Sequence, residues 1–208
     1  MSEMYDEDYF LRGKQTGKSL YENYRWLPEL TIPMARTIAE HLKLLPSYSV
    51  LDFGCARGYL VKAFRFEGYK AFGYDTSEWA LANCDRGVAS YVHYRMEAKY
   101  DWIIAKDVLE HVPNLMNTIA QLIESARVGI FVVVPLVDSF NSGVPRYEVP
   151  AYEEDITHLH RFSLGYWANY FMNPGWSVTA QYRIPGIKDN YAQYPRGNGF
   201  ITVRRLNA

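Results

Sequence analysis

The sequence predicts an α/β fold: a Rossmann-like, doubly wound sheet, mostly parallel with an antiparallel C-terminal strand, and helices on both faces. Three observations carry this expectation. Short apolar runs alternate with helical periodicities from Tyr48 to Pro135, the signature of parallel strands joined by crossover helices. The first run, "YSVLDF", leads into a turn bracketed by two glycines, Gly54 and Gly58. The second run, "KAFGYD", closes on an aspartate, Asp75.

The elements follow in order. The first 30 residues, rich in aromatic and charged side chains, read as irregular or short helical structure packed on the domain. From Thr31, a candidate N-cap, "TIPMARTIAEHLKLL" places Ile32, Ala35, Ile38 and Leu42 on one helical face, with Pro46 as a stop. "YSVLDF" is a buried strand, "YLVKAFRFEG" a helix ending at Gly68, "KAFGYD" a second strand, and "SEWALANC" a helix that Ser77 caps. "VASYVHY" is a short strand candidate. Trp102 to Ala105 form a strand running into a turn, "NLMNTIAQLIESAR" is an amphipathic helix, and "VGIFVVVP" a further strand. Periodicity then lapses from Leu136 to about Leu159, a length of loop that in a compact domain is usually functional or disordered. "SLGYWANYFMNPG" reads as a helix, and "WSVTAQYRI" and "NGFITVRR" as a closing strand pair.

Composition narrows the function classes. The 208 residues carry 49% hydrophobic and 22% charged side chains, a normal soluble balance for one domain. A net charge of -1 argues against a protein built to grip phosphate backbones, so nucleic acid is not the expected partner. Two cysteines, Cys55 and Cys84, make neither a disulfide framework nor a zinc site, and a reduced, cytoplasmic setting is the simplest reading. The acidic start "MSEMYDEDYF" does not read as a secretory signal, and no apolar run has membrane-spanning length. Eighteen tyrosines, 10 phenylalanines and 5 tryptophans are the unusual feature.

The chemistry concentrates at strand ends. In a doubly wound sheet, ligands bind beyond the carboxyl ends of the strands, and a helix N-terminus favours anionic groups. An aspartate ending the second strand, about 20 residues past the turn, can accept both hydroxyls of a ribose. The turn lacks the G-x-G-x-x-G spacing that a dinucleotide pyrophosphate needs, since Ala56 separates the glycines. Asp52, just before it, suits an ammonium group better than a pyrophosphate. A nucleoside carrying an amino acid satisfies both ends, and S-adenosylmethionine (SAM) is such a molecule.

Here the sequence resembles a known family. "VLDFGCARGYLVKAF" with "GYDTSEWAL" is similar to the first two motifs of class I SAM-dependent methyltransferases, and "YDWIIAKDVLEHV" to that family's fourth-strand motif. "DITHLHRFSLGYWANYFMNPGW", "YDEDYF" and "YENYRW" resemble the branch that methylates small molecules and sugars. The resemblance implies a cofactor turn of Asp52, Gly54, Cys55, Ala56 and Gly58, with Asp75 on ribose beside Thr76 and Ser77. Lys106, Asp107 and Val108 would lie under the methionine part. The acidic residue usual near adenine is missing, leaving Arg95, Met96 and Glu97 as candidates. The implied organisation is one domain over 1–208: an aromatic and helical cap (1–45), a SAM-binding core (46–135), a substrate loop (136–163), and a C-terminal helix and strand pair (164–208).

Methyl transfer needs alignment of donor and acceptor, exclusion of water and, for a hydroxyl acceptor, a general base. Histidine is suited to that role. His158 and His160, in "EEDITHLHRFS", share one side if the segment is extended and are the candidate bases; the plainer reading has one of them bonded to the following helix and the other exposed. A metal site from this pair with Glu153, Glu154 or Asp155 is chemically competent. The acidic trio reads better as a solvated loop face, and no metal is expected. His111 in "LEHV" holds the turn after the fourth strand and, with Tyr147 and Tyr152, is a substrate-side candidate; these tyrosines and Trp167, with the aromatic residues of the N-terminal segment, favour an apolar or ring-shaped acceptor. Tyr5, Tyr9, Phe10, Tyr21, Tyr24 and Trp26 form either a lid over the cofactor or ordinary core. Arg57 is expected to be solvated. The alternatives are a SAM-binding module without catalysis, a nucleic-acid or protein methyltransferase, and a nicotinamide-dependent oxidoreductase that the glycine spacing disfavours.

Overall fold

The computed structural model describes residues 4–96, 98–137, 155–188 and 194–207. Seven strands form one sheet: β1 (Ser49–Phe53), β2 (Lys70–Tyr74), β3 (Val92–His93), β4 (Tyr100–Lys106), β5 (Ala126–Pro135), β6 (Trp176–Gln181) and β7 (Asn198–Arg205). Their spatial order is β3-β2-β1-β4-β5-β7-β6. The first five run parallel, and β7 enters antiparallel between β5 and β6. The expected mostly parallel, doubly wound sheet is thus what the chain forms. The order reverses between β1 and β4, which puts a crevice at the carboxyl ends of these two strands.

Alternate residues of the central strands feed two cores, as the two-residue strand period requires. Trp102 and Ile104 of β4 and Phe131 and Val133 of β5 face helices α3 (Pro28–Leu42) and α4 (Tyr59–Phe66). Ile103, Ala105, Ile130, Val132 and Val134 face α6 (Leu115–Ser125) and α7 (Leu164–Asn169). Two short N-terminal helices, α1 (Glu7–Leu11) and α2 (Gly13–Thr16), carry the aromatic cap. Helix α5 (Glu78–Ala82) begins where expected, with Ser77 Oγ accepting from Ala80 N at 3.0 Å.

Two local expectations shift. Helix α3 begins at Pro28 behind Leu27, so Thr31 is not its cap; the Thr31 hydroxyl lies inside the first turn and donates to Leu27 O at 3.0 Å. Proline at the first helical position explains the earlier start, because its missing N–H would have had no partner there. Arg57 is not a merely solvated side chain. Its Nε donates to Asn83 O (2.8 Å) and its Nη1 to Tyr24 O (3.2 Å), and its guanidinium faces the rings of Tyr59 and Trp79. It ties the N-terminal cap to the core. Among the described residues, no helix is long and apolar enough to cross a membrane.

Candidate functional site

The turn after β1 is shaped by three left-handed residues, Gly54 (φ 80), Ala56 (φ 47) and Gly58 (φ 76). Gly54 is required twice over. Its φ suits glycine, and a Cβ there would lie 2.4 Å from Val108 Cγ2, so this turn and the turn after β4 touch at van der Waals contact. Ala56 adopts a conformation that costs an L-residue about 1–2 kcal/mol. Asp75 holds it there: one carboxylate oxygen accepts from Ala56 N (2.7 Å), the other from Ser77 N (2.8 Å). Burial raises the Asp75 pKa, and these amides oppose the shift. The aspartate thus sits at the tip of β2, its orientation fixed, with the turn on one side and the N-terminus of α5 on the other. Thr76 is exposed beside it, Ser77 is buried, and Cys55 packs its thiol against Gly73.

Asp52 lies inside β1 and is 5% exposed. Burial pushes its carboxyl up to about 7; the Lys106 ammonium pulls it back and Asp75 adds to the rise. Lys106 ends β4. Burial alone would lower its pKa, but Asp107 and Asp52 outweigh this and the net shift is upward. Asp107, in a strained left-handed conformation (φ 54), receives Lys106 Nζ at 2.5 Å and Lys188 Nζ at 2.6 Å. Burial would raise it, yet the two ammonium groups hold it well below the usual carboxylate range. A carboxylate and an ammonium at the ends of neighbouring strands match the two charges of an α-amino acid.

Beyond this pair opens a cavity of about 230 Å³, lined among others by Tyr9, Tyr21, Asp107, His111, His158 and Lys188. Its floor is the 3₁₀ turn Leu109–His111, of which Glu110 and His111 line the cavity. The segment from Asp155 docks on that turn: Leu159 N and His160 N both donate to Glu110 O, at 2.7 and 3.1 Å. Arg161 braces the segment, donating to His158 O (2.7 Å) and Asp155 O (3.0 Å). His111 Nδ1 donates toward Thr157 O (3.2 Å) and Thr157 Oγ1 (2.9 Å), while that hydroxyl donates to Asp155 Oδ1 at 2.6 Å. In the neutral tautomer that these acceptors select, Nδ1 carries the hydrogen and Nε2 the lone pair. Burial and the neighbouring His158 lower the His111 pKa, against an opposing pull from Asp155.

The segment opens with a turn, His158 N donating to Asp155 O at 3.2 Å, and the two candidate histidines beyond it have different surroundings. His158 lines the cavity and its ring meets that of His111 edge-on at 4.7 Å. His160 donates from Nε2 to Val112 O at 2.7 Å and stacks on Phe162. Trp167 is fully buried core and does not wall the cavity. Tyr147, Tyr152, Glu97, Glu153 and Glu154 lie outside the described residues. Of the adenine candidates, Arg95 lies over the Tyr94 ring and Met96 packs on the α6 side of the sheet. Tyr9 and Phe10 cluster with Ala80, Ala56 and Trp79, so the aromatic cap covers the turn itself. Lys188 and Thr157 are not marked as site residues in the sequence, and Asp155, expected on a solvated loop face, is instead buried and anchors Thr157. The D-x-T spacing at Asp155 is a turn signature that covers Asp155 and Thr157; nothing local marks Lys188.

The strand order, the glycine turn after β1, the aspartate ending β2 and the polar turn after β4 together define a class I methyltransferase architecture. A family model described as a methyltransferase domain matches residues 27–181, and the chain belongs to that family. No curated protein sequence matches it. Several solved structures share the fold. The plantazolicin methyltransferase BpumL, in complex with SAH, is 16% identical with a TM-score of 0.59, covering 86% of this chain and 84% of that one. The plantazolicin methyltransferase BamL, with a triazolic desmethylPZN analog and SAH, is 14% identical with a TM-score of 0.57, over 86% and 84%. The [4+2]-cyclase SpnF is 15% identical with a TM-score of 0.66, over 98% and 95%.

Proposed function

We propose that this protein transfers a methyl group from SAM to an oxygen or nitrogen atom of a small molecule, such as a sugar or a related metabolite. The observation that carries the reading is Asp75, held by two backbone amides at the tip of β2 between the left-handed turn and the N-terminus of α5. The residues present fit the donor. Asp75 takes the ribose hydroxyls, ionised Asp52 the ammonium and Lys106 the carboxylate, while Gly54 and Gly58 keep side chains out of the turn. When bound, SAM supplies an electrophilic methyl on a sulfonium that collapses to a neutral thioether.

The chain's own contribution is then placement and proton handling. Tyr9, Leu20 and Tyr21 line the cavity from the cap side and offer an acceptor apolar surface there. His158, and His111 through Nε2, are the cavity-facing groups able to take the acceptor's proton as the new bond to carbon forms. The cavity's size suits a small acceptor, and the balanced surface charge supports a partner other than nucleic acid.

One observation favours a second reading. A cyclase shares the fold over nearly the whole chain, so a methyltransferase scaffold that binds SAM without transferring its methyl is the alternative. Incubation with methyl-labelled SAM and a panel of hydroxyl- and amine-bearing metabolites separates the two. Label in an acceptor supports methyl transfer. Tight SAM binding with no labelled product across the panel supports the alternative.

A further inference from the structure

We infer that Glu110, His111 and His158 form a binding site for one divalent first-row transition-metal ion at the floor of the cavity. One donor atom from each lies within 4.8 Å of the other two. Ligands about 2.1 Å from a tetrahedral ion are about 3.4 Å from one another, so a pair at the outer limit closes by about 1.4 Å on binding, within reach of side-chain rotation. The donors come from two segments that are already clamped together. Glu110 and His111 are consecutive in the 3₁₀ turn, and His158 is carried by the segment whose amides bond to Glu110 O and whose carbonyls bond to Arg161.

The surroundings match what an imidazole ligand needs. Metal-binding histidines commonly donate the far N–H to a carbonyl or hydroxyl, which fixes the tautomer and aims the other nitrogen at the ion. His111 does this through Thr157, which is itself anchored to Asp155, and its Nε2 stands 4.0 Å from Glu110 Oε1. Glu110 is 1% exposed, and a carboxylate that deep is strongly favoured by a nearby cation. Two imidazoles and one carboxylate suit zinc, manganese, iron or cobalt rather than the all-oxygen sets of magnesium or calcium. Three protein ligands leave positions open toward the cavity, where Tyr21, Lys188 and Asn198 stand. The acceptor class this implies, a molecule presenting a hydroxyl or carboxylate oxygen to the ion, rests on the methyl-transfer reading; the metal site does not, and with the ion bound His111 and His158 serve as its ligands in place of taking the acceptor's proton.

The test uses the whole chain, stripped with a chelator and titrated without SAM. Mn²⁺ monitored by electron paramagnetic resonance is expected to bind at one ion per chain, and Co²⁺ to give visible d–d bands. In the wild-type protein, Mn²⁺ should broaden the ring resonances of His111 and His158 before those of His41 and His93. His158→Ala and Glu110→Gln should weaken Mn²⁺ binding by about tenfold or more, while His93→Gln leaves it unchanged. Absence of binding, equal binding by all four proteins, or broadening that starts at His41 or His93 would overturn the site. A separate SAM titration of the same samples keeps failure of the donor reading distinguishable from failure of the metal site.

Discussion

Replacing Asp52 by Asn should change how stability and donor binding depend on pH, and the structure fixes the sign of both. Burial lifts the Asp52 carboxyl to about 7 in the folded chain, with Lys106 opposing and Asp75 reinforcing the shift. An aspartate in the unfolded chain ionises near 3.9. Between these values the folded state holds a proton that the unfolded state has released, so stability falls as pH rises through about 4 to 7. The slope is about 1.4 kcal/mol per pH unit, and the full window is worth about 4 kcal/mol. Asn does not titrate. The stability of Asp52→Asn relative to wild type should therefore climb by a few kcal/mol from pH 4.5 to 7.5 and level off above. Urea unfolding of both proteins across that range measures it, and the difference cancels groups such as His111 whose lowered pKa acts in the opposite direction. Calorimetric SAM titrations supply the second half. Wild type should bind more tightly than the variant at pH 7.5, and the two should converge by pH 5.5, where Asp52 is already neutral. A stability difference that stays constant with pH would refute the burial argument, and an affinity gap indifferent to pH would refute the ammonium assignment.

Other expected outcomes follow from single contacts. Gly54→Ala adds a Cβ 2.4 Å from Val108 Cγ2 at a φ of 80, which should destabilise the fold by about 2–4 kcal/mol; adding Val108→Ala should restore the packing part, read as coupling in thermal melts. Asp75→Asn keeps a similar shape but loses the charge that would accept two ribose hydroxyls, so SAM affinity should drop about 100-fold, with unchanged affinity sinking the ribose assignment. Arg57→Gln removes two hydrogen bonds and two ring contacts between cap and core, costing about 1–2 kcal/mol and speeding proteolysis near Tyr24; an unchanged cleavage rate would show that the cap is held by other contacts.

The central sheet was legible because its signals are local. Each strand's apolar run, the left-handed turn and the aspartate at the end of β2 are written within a few residues of one another. Ser77 as a cap and Gly68 as a helix stop follow from the same short-range chemistry. The acceptor side was legible only in part. His111 meets Thr157 across 46 positions of sequence, and Lys188 reaches Asp107 from the far end of the chain. No periodicity encodes such pairings. The i, i+2 spacing of His158 and His160 puts both on one side only in extended backbone; His158 lines the cavity, while His160 bonds Val112 O across 48 positions of sequence. Arg57 was misread for a similar reason, since the groups that hold it, Tyr24 and Asn83, come from two other segments.

The central claim is that the crevice beyond β1, β2 and β4 holds SAM. Isothermal titration of the intact chain at pH 7.5 with SAM, and in parallel with NAD, tests it most directly. The account predicts saturable SAM binding with one site per chain and no heat from NAD. Binding of NAD without binding of SAM would contradict it.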